Sequence, residues 1–514
     1  MRGACSIPNV GSSTTFRVSN RVPCRRPALR ITRPNPRLRT LQIRADARTV
    51  QSVSNLRKNC ALGGIFFANL FVYTITRDMK DVMFVLDCGA EYIPFVKTWI
   101  NLPVSIMVVS VYQQMLRKLN FHTCYRIMYA GMMLISAIVG IGIYPLRDAL
   151  AIPSSHALLS NWVVTLYYVL SPIYGSIIIS VLFWSLANMY TEIDEAKRIY
   201  PLMGFLANIA LIVAGMVAQA SCAYWGTQNW NANVITLCVS NLIVSTFALL
   251  LHRYIETSCI MTDSKHQKKT KTQDKHTFST LIKEPFVVNM IVMTASYGLM
   301  VSLFENIWKH NIKLHFTHAV HYTELMASIS FWKGVCTMFF MCMSSFFLKH
   351  MSWLQIALIT PMCLMIIGAV FFVTASSCSS SYAGFVVMTG AVMVVLLKSL
   401  KYAFTDPCKE IAFIPTNELI KTQGKATVDI VSSPIGKSGG SFIQQIMFLK
   451  YPIASCIPAI GGIYMLVSMI WIRSITKMND IIQQSEKQDD TEKITIIDVS
   501  EDRPSNSAVG TPVG

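Results

Sequence analysis

Long apolar segments recur along almost the whole of this 514-residue chain. Each runs for roughly 17–25 residues, the length at which a helix crosses the hydrocarbon layer of a bilayer. Only 14% of the residues are charged, against about 25% in soluble domains. The sequence therefore predicts an all-α polytopic membrane protein. About twelve transmembrane helices are expected, near 60–76, 98–116, 125–145, 160–190, 200–220, 231–251, 286–306, 322–347, 352–374, 381–404, 426–450 and 453–473.

A polar stretch divides these predicted helices into two equal groups. Residues 252–285 form a basic central loop that is rich in lysine. An N-terminal six-helix half at 55–251 precedes it, and a C-terminal six-helix half at 286–475 follows it. Two six-helix halves are the arrangement of transporters built from paired repeats. The positive-inside rule puts the central loop, both termini and most loop lysines and arginines on one side of the membrane.

The two ends of the chain differ from its apolar body. Residues 1–45 contain ten arginines and no acidic residue, which is the composition of an organellar transit peptide. Residues 43–45 (IRA) favour a plastid over a mitochondrion, while a basic tail remains an alternative. Removal of this peptide lowers the formal charge from +18 to about +8. Residues 476–514 are polar and acidic-leaning, so we expect them to be disordered.

Motifs for metals, cofactors and enzymatic chemistry are lacking in the sequence. The fourteen cysteines are scattered without CxxC pairs or His/Cys clusters, so neither a metal site nor a disulfide framework is expected. The segment Gly436-Lys437-Ser438 resembles part of a phosphate-binding loop, but Val431 stands where that motif requires glycine. A glycine-rich membrane helix instead predicts close helix packing. We expect no catalytic residues, no cofactor and no nucleic-acid partner, and the oligomeric state is left open.

Ionisable residues within apolar segments carry the main functional signal, because burying charge in a membrane is costly unless it lines a wet cavity or is paired. Residues 398–410 (KSLKYAFTDPCKE) follow an apolar run without interruption. In this stretch Lys401, Thr405 and Lys409 repeat every four residues and form one helical stripe. Pro407 is expected to interrupt the helix beside a cavity. Two lysines on one stripe suit the binding of phosphate oxygens.

Two further charge clusters follow the predicted first and seventh helices. Arg77 lies three residues before Lys80 and four before Asp81, which puts all of them on one helical face. A solvated loop with lysines reaching to the membrane interface is the alternative for this cluster. Glu305 precedes Lys309 by four residues, the favoured order for an ion pair within a helix. A structural ion pair and a ligand site both remain open for Glu305.

These stretches together resemble the nucleotide transporter family, the ADP/ATP translocases of plastid envelopes, obligate intracellular bacteria and microsporidia. The resemblance implies a major-facilitator-like fold and exchange of ATP for ADP across a membrane. The alternative is a broader-specificity nucleotide importer, which could be proton-coupled. The matching strings follow the family order at 73–82, 89–99, 144–150, 183–212, 296–309 and 401–445.

The resemblance also implies roles for individual residues. It implies that the charges at Glu195 and Glu305 are essential for transport. The same is implied for Lys80 and Lys409. The predicted phosphate-binding residues are Arg77, Lys80, Lys401 and Lys409. Like charges around such a cavity repel one another until a polyphosphate neutralises them, and this predicts obligatory exchange.

The sequence constrains the residues that bind the adenine base less closely than those that bind phosphate. For the base, the candidate binding residues are Tyr200, Phe205 and Asn208.

The expected partners are ATP and ADP, as transported substrates, and the lipid bilayer that surrounds the helices. The expected location is the plastid (chloroplast) inner envelope membrane. The alternatives are a mitochondrial-type organelle, or the plasma or inner membrane of an intracellular parasite.

Overall fold

The computed structural model consists of helices joined mostly by short loops. It describes residues 36–154, 156–191, 193–258, 283–377, 382–414, 416, 420 and 424–501. Residues 56 onward belong to one compact unit. The long helices within the described part are α1 (Pro36–Asp87), α2 (Ala90–Lys118), α3 (Phe121–Leu146), α4 (Trp162–Tyr190), α5 (Ile193–Trp225), α6 (Trp230–Ser258), α7 (Pro285–His315), α8 (Ala319–His350), α9 (Trp353–Ser376), α10 (Ala383–Ala412), α11 (Lys425–Lys450) and α12 (Ile453–Glu501).

Eleven helical stretches in the described residues are long and apolar enough to cross a membrane. They confirm the all-α, polytopic fold class. The remaining helix, α11, was predicted as a twelfth span but contains Lys425, Asp429, Lys437 and Lys450. It packs along α7 and also contacts α2 and α12. Neighbouring helices therefore cover part of the surface of this more polar helix.

Helix α1 is longer than the sequence pattern suggested. The predicted span ended near residue 76, whereas the helix continues to Asp87. Residues 77–88 contain neither glycine nor proline, so nothing in the backbone ends the helix there. The charged residues 77–81 consequently lie inside a helix. The alternative of a solvated loop is wrong for this segment, because Lys80 and Asp81 are buried.

The ends of other segments also differ from expectation. The helical backbone of α12 continues to Glu501, into the segment 476–514 that was expected to be disordered. Helix α6 continues to Ser258, which shortens the predicted central loop. Most of that loop, at 259–282, lies outside the described residues, as do 502–514. Of the expected transit peptide, 1–35 lie outside them and the backbone of the rest is helical.

Helix α10 stays continuous at Pro407, where an interruption was expected. Residues Lys401–Thr405 form a π-helical turn, and Asp406–Ala412 continue as α-helix with Pro407 in the first turn. A proline ring normally clashes with the carbonyl four residues earlier, here that of Ala403. The wider π turn contains that carbonyl and provides the room, so the helix continues. Such π turns are frequent at functional sites.

The glycines of α11 allow close contact with α7, as the sequence predicted. A Cβ atom added to Gly436 would lie 2.9 Å from the carbonyl oxygen of Ala295 and 3.0 Å from the Cα of Gly298. Both are backbone atoms of α7, so no side-chain rotation can relieve the clash. Gly439 on the same helix has nothing within 4 Å of such an atom.

We expect Gly436→Ala to destabilise the protein and Gly439→Ala to leave it unchanged or to stabilise it. Alanine favours a helix over glycine by about 1 kcal/mol, so the open site gains stability. At Gly436 the clash with backbone outweighs this gain by about 1–3 kcal/mol. Thermal unfolding of both variants in the same detergent measures the difference. Equal melting temperatures would contradict the proposed packing.

The bundle has two ends that matter for the site. We call the end at which α1 and α7 terminate the far end, and the other end, where α2 terminates at Arg117 and Lys118, the basic end. Helix α5 packs on α8, and α2 packs on α11. Each of these pairs joins a helix that precedes residues 259–282 to one that follows them. The candidate site lies where α1, α7, α8 and α10 meet.

Candidate functional site

Arg77 on α1 forms an ion pair with its neighbour Asp78. Its Nε and Nη2 atoms donate to Asp78 Oδ1 at 3.0 and 2.9 Å. The Nη2 atom also donates to Ser330 Oγ on α8 at 3.3 Å, and that hydroxyl donates to Asp78 Oδ2. Arg77 therefore pairs with Asp78 and not with Asp81 one turn further on. This triad connects α1 with α8.

Asp81 is the centre of a second cluster, closer to the far end. Lys80 Nζ lies 2.6 Å from Asp81 Oδ1, and Lys309 Nζ of α7 lies 2.9 Å from Asp81 Oδ2. The ammonium group of Lys80 also lies 4.1 Å from the ring centre of Tyr168, a cation–π contact. All three charged residues are buried. One carboxylate thus holds two lysines that come from different helices.

Glu305 on α7 extends this cluster towards α2. Its carboxylate lies 3.6 Å from Lys309 Nζ and 3.9 Å from Lys97 Nζ, so the expected pair within α7 is present and shared. We call Lys80, Asp81, Lys309, Glu305 and Lys97 the far-end charge chain. At 1.5 Å per residue, Lys309 lies about 9 Å from the end of α7. The alternating charges join α1, α2 and α7 and close the bundle at this end.

Two lysines deeper in the bundle were not among the predicted site residues. Lys333 on α8 is 3% exposed and has no ion pair among the described residues. Lys398 on α10 is half-buried. Both interact electrostatically with Arg77. The signal for Lys333 was present, because it is a lysine within the apolar segment 322–347, but its segment matched none of the family strings.

A cavity of about 320 Å³ lies between α7, α10 and α11. Its volume is within the range of small-molecule sites. Lys401, predicted to bind phosphate, lies 3.0 Å from Asp406 and 4.7 Å from the ring centre of Tyr402. The polar lining residues are Thr294, Tyr297, Lys401, Thr405, Asp406, Lys409 and Ser432. The structure therefore brings the predicted stripe of Lys401, Thr405 and Lys409 together around one cavity.

The cationic residues are distributed through the depth of the bundle. Along α10, counted from its start at the far end, Lys398 lies at about 22 Å, Lys401 at about 27 Å and Lys409 at about 39 Å. Arg77 lies about 15 Å from the far end of α1 on the same scale. The cations of α1 and α10 thus mark a path from the far end towards the basic end.

Glu195, predicted to be essential for transport, lies at the basic end and away from this path. Its carboxylate accepts hydrogen bonds from Lys58 Nζ at 2.7 Å and from Asn59 Nδ2 at 2.9 Å. Lys58 precedes Arg77 by nineteen residues of α1, which is about 28 Å. The structure thus separates Glu195 from Arg77 and the far-end charge chain, and its role stays a prediction.

A charge swap tests whether Glu195 acts through this ion pair. We expect Glu195→Lys or Lys58→Glu alone to lower stability by about 1–3 kcal/mol, because the pair is mostly buried. The double variant, with both charges exchanged, should recover stability and exchange activity together. Thermal unfolding and uptake in proteoliposomes measure the two effects. If stability recovers but transport does not, Glu195 has a role beyond the pair.

The three candidates for the base lie outside the residues that line the cavity. Tyr200 donates to Asn188 Oδ1 at 2.6 Å. The Asn208 amide donates to the carbonyl of Gly204 at 3.0 Å, and a Cβ on Gly334 of α8 would lie 2.6 Å from the Asn208 carbonyl oxygen. Asn208 thus lies in the contact between α5 and α8. Phe205 is partly buried.

Sequence comparison identifies relatives over most of the chain. The model of the family described as "TLC ATP/ADP transporter" matches residues 49–481. The "ADP,ATP carrier protein 1, chloroplastic" of Arabidopsis thaliana is 31% identical over 509 residues, covering 89% of this chain and 80% of the relative. The "ADP,ATP carrier protein 1" of Chlamydia trachomatis is 31% identical over 469 residues, covering 83% of this chain and 89% of the relative.

Solved structures with the same fold are also known. A bacterial homologue of the iron transporter ferroportin superposes with a TM-score of 0.57 at 12% identity, covering 82% of this chain and 98% of that one. The nucleoside transporter NupG gives 0.53 at 12% identity, covering 82% and 99%. These matches confirm the major-facilitator-like fold. Together with the family match, they establish that this chain belongs to the TLC ATP/ADP transporter family and is a membrane transporter, not an enzyme.

Proposed function

We propose that this protein exchanges ATP for ADP by alternating access, with the polyphosphate held at the bundle centre. The observation that carries the proposal is the set of buried and half-buried cations on α1, α8 and α10, of which those on α10 continue into the lining of a cavity. Cations at this depth are costly unless they serve an anion. In this movement, helices α1–α6 would rotate as a unit against helices α7–α12.

The balance of charge explains why the substrate is a polyphosphate. The far-end charge chain, taken with Arg77, Asp78, Lys333 and Lys398, contains six cations and three carboxylates, an excess of three positive charges. The residues counted are Arg77, Lys80, Lys97, Lys309, Lys333 and Lys398 against Asp78, Asp81 and Glu305. Nucleoside di- and triphosphates carry about three to four negative charges, which neutralise this excess. Without that neutralisation, like charges in a region of low dielectric resist closure.

The phosphate site that we propose keeps the residues predicted from the sequence and adds two. Arg77 and Lys80 lie on α1, and Lys401 and Lys409 lie on α10, at depths from about 10 to about 39 Å from the far end, so they would contact the phosphates in turn during transport. Lysine acts as a mobile point charge towards phosphate, while arginine binds two oxygens at once. The two residues added are Lys333 and Lys398, which lie between these groups in depth.

The base-binding residues stay a proposal based on the sequence. Tyr200, Phe205 and Asn208 remain the candidates, while Tyr297 lines the cavity next to Lys401. An aromatic ring suits stacking against adenine. Photolabelling with an azido-adenine ATP analogue, followed by peptide mapping, separates the two regions. Labelling confined to α7 would contradict the sequence-based candidates.

Exchange is tested with proteoliposomes that are preloaded with ADP or left without nucleotide. We expect internal ADP to raise uptake of labelled ATP at least about tenfold, which corresponds to about 1.4 kcal/mol of charge repulsion. Vesicles loaded with AMP, which carries less charge, are the control. Equal uptake into all vesicles would refute obligatory exchange. Competition by other nucleotides, or loss of uptake with a proton uncoupler, would favour the broader, proton-coupled importer.

We propose the plastid inner envelope as the location of this multi-pass membrane protein. The support is the arginine-rich segment 1–45 and the name of the Arabidopsis relative. A fluorescent fusion of residues 1–60 in plant cells should label plastids. Labelling of mitochondria, or of the cell periphery, would point instead to a mitochondrial-type organelle or to the membrane of an intracellular parasite.

A further inference from the structure

We propose that Asp81 couples opening of the far end to substrate binding, because its carboxylate holds Lys80 and Lys309 until phosphate oxygens replace it. This inference rests on the exchange function proposed above. It makes Asp81 a positioning residue that competes with the substrate for the same two lysines. The observations that support it are the geometry of the pair, its burial and two buried hydroxyl groups nearby.

The geometry places one carboxylate between corresponding lysines of the two halves. Lys80 lies seven residues before the end of α1, and Lys309 lies six residues before the end of α7. Each lysine contacts a different oxygen of Asp81, at 2.6 and 2.9 Å. The Lys309 contact is an ion pair between α1 and α7. These helices can separate at the far end only if that pair breaks.

Burial makes this contact strong. Asp81 is 3% exposed and Lys309 is 1% exposed. Complete removal of one partner from a buried ion pair disfavours a state by roughly 150- to 5,000-fold. An opening that separates Lys309 from Asp81 leaves it with Glu305 alone, 3.6 Å away on the same helix, and is therefore disfavoured. Phosphate oxygens form charge-assisted hydrogen bonds to both lysines and remove that penalty.

Two tyrosine hydroxyls provide alternative partners for Asp81 after release. Tyr168 and Tyr322 are buried, and their hydroxyls have no hydrogen-bond partner among the described residues. Both interact electrostatically with Asp81 and Glu305. A buried hydroxyl without a partner is uncommon, and these two retain a free donor for a new hydrogen bond. A small shift of the helices would let these groups donate to the Asp81 carboxylate when phosphate takes the lysines.

The test compares efflux of labelled ADP into buffer with and without external ATP. We expect wild-type vesicles to release ADP mainly when ATP is outside. Asp81→Asn removes the charge that holds Lys309, so net efflux without ATP should rise at least about tenfold. The ratio of exchange to net efflux should then fall towards one. Asp148→Asn is the matched control, because Asp148 is an exposed carboxylate near the same end.

A second variant guards against a folding defect in the first. Lys309→Gln leaves Asp81 paired with Lys80 but removes its contact with α7, so it should show the same uncoupling. Thermal unfolding reports whether each variant is folded. A wild-type ratio in both variants would overturn the role of Asp81. If wild-type vesicles themselves show no stimulation by external ATP, the exchange function fails instead.

Discussion

Replacing Lys333 by methionine is expected to stabilise the protein and, at the same time, to lower ATP/ADP exchange at least about tenfold. Lys333 is 3% exposed and has no ion pair within 4 Å among the described residues, so the more distant Asp78, Asp81 and Glu305 offset only part of the cost of burying its charge. Methionine has a similar length and no charge, so it removes a desolvation penalty of several kcal/mol, of which these carboxylates had offset a part. A hydrogen bond from a charged group to phosphate contributes about 1.5–3 kcal/mol, which corresponds to the expected loss of transport.

The opposite signs of these two effects separate a functional lysine from a structural one. Thermal unfolding and the KM for ATP uptake are measured on the same preparation. Lys349→Met is the control, since Lys349 lies on α8 as well but is exposed. We expect it to change neither quantity. A lower melting temperature with an unchanged KM in Lys333→Met would assign Lys333 to the structure alone.

The second large effect is expected at Arg77. Arg77→Gln should reduce exchange by roughly 100-fold or more and also destabilise the protein by about 3–5 kcal/mol. The reason for the lost stability is Asp78, whose side chain is 11% exposed and would lose its cation. The reason for the lost transport is the missing guanidinium, which binds two phosphate oxygens at once.

A double variant distinguishes these two causes. Arg77→Gln combined with Asp78→Asn removes both charges, so we expect most of the stability to return without the transport. Arg77→Lys keeps the charge but not the paired donors, so it should recover transport only in part. Uptake by proteoliposomes and thermal unfolding again provide the measurements. Recovery of exchange in the double variant would show that Arg77 serves only to neutralise Asp78.

Helix α11 shows which structural features can be predicted from a sequence pattern and which cannot. Its glycines predicted close helix contact, and Gly436 meets the backbone of α7. Its length as a helix was also predicted. One of the twelve expected spans, α11, is less apolar than a typical membrane span, and α7 and other helices cover part of its surface. Hydropathy measures what lipid accepts, and a helix shielded by its neighbours is less constrained by lipid.

By itself, the sequence determined the fold class, the family and which charged residues lie within the apolar segments, for most of the site. Apolar length and charge at membrane depth are local properties, so they can be read along the chain. Only the tertiary structure decided which charges meet. Arg77 and Ser330 are 253 residues apart, and Asp81 meets Lys309 from another helix. Such partners depend on the rotation and packing of whole helices. That packing also puts Lys333 within electrostatic reach of Arg77 and pairs Glu195 with Lys58.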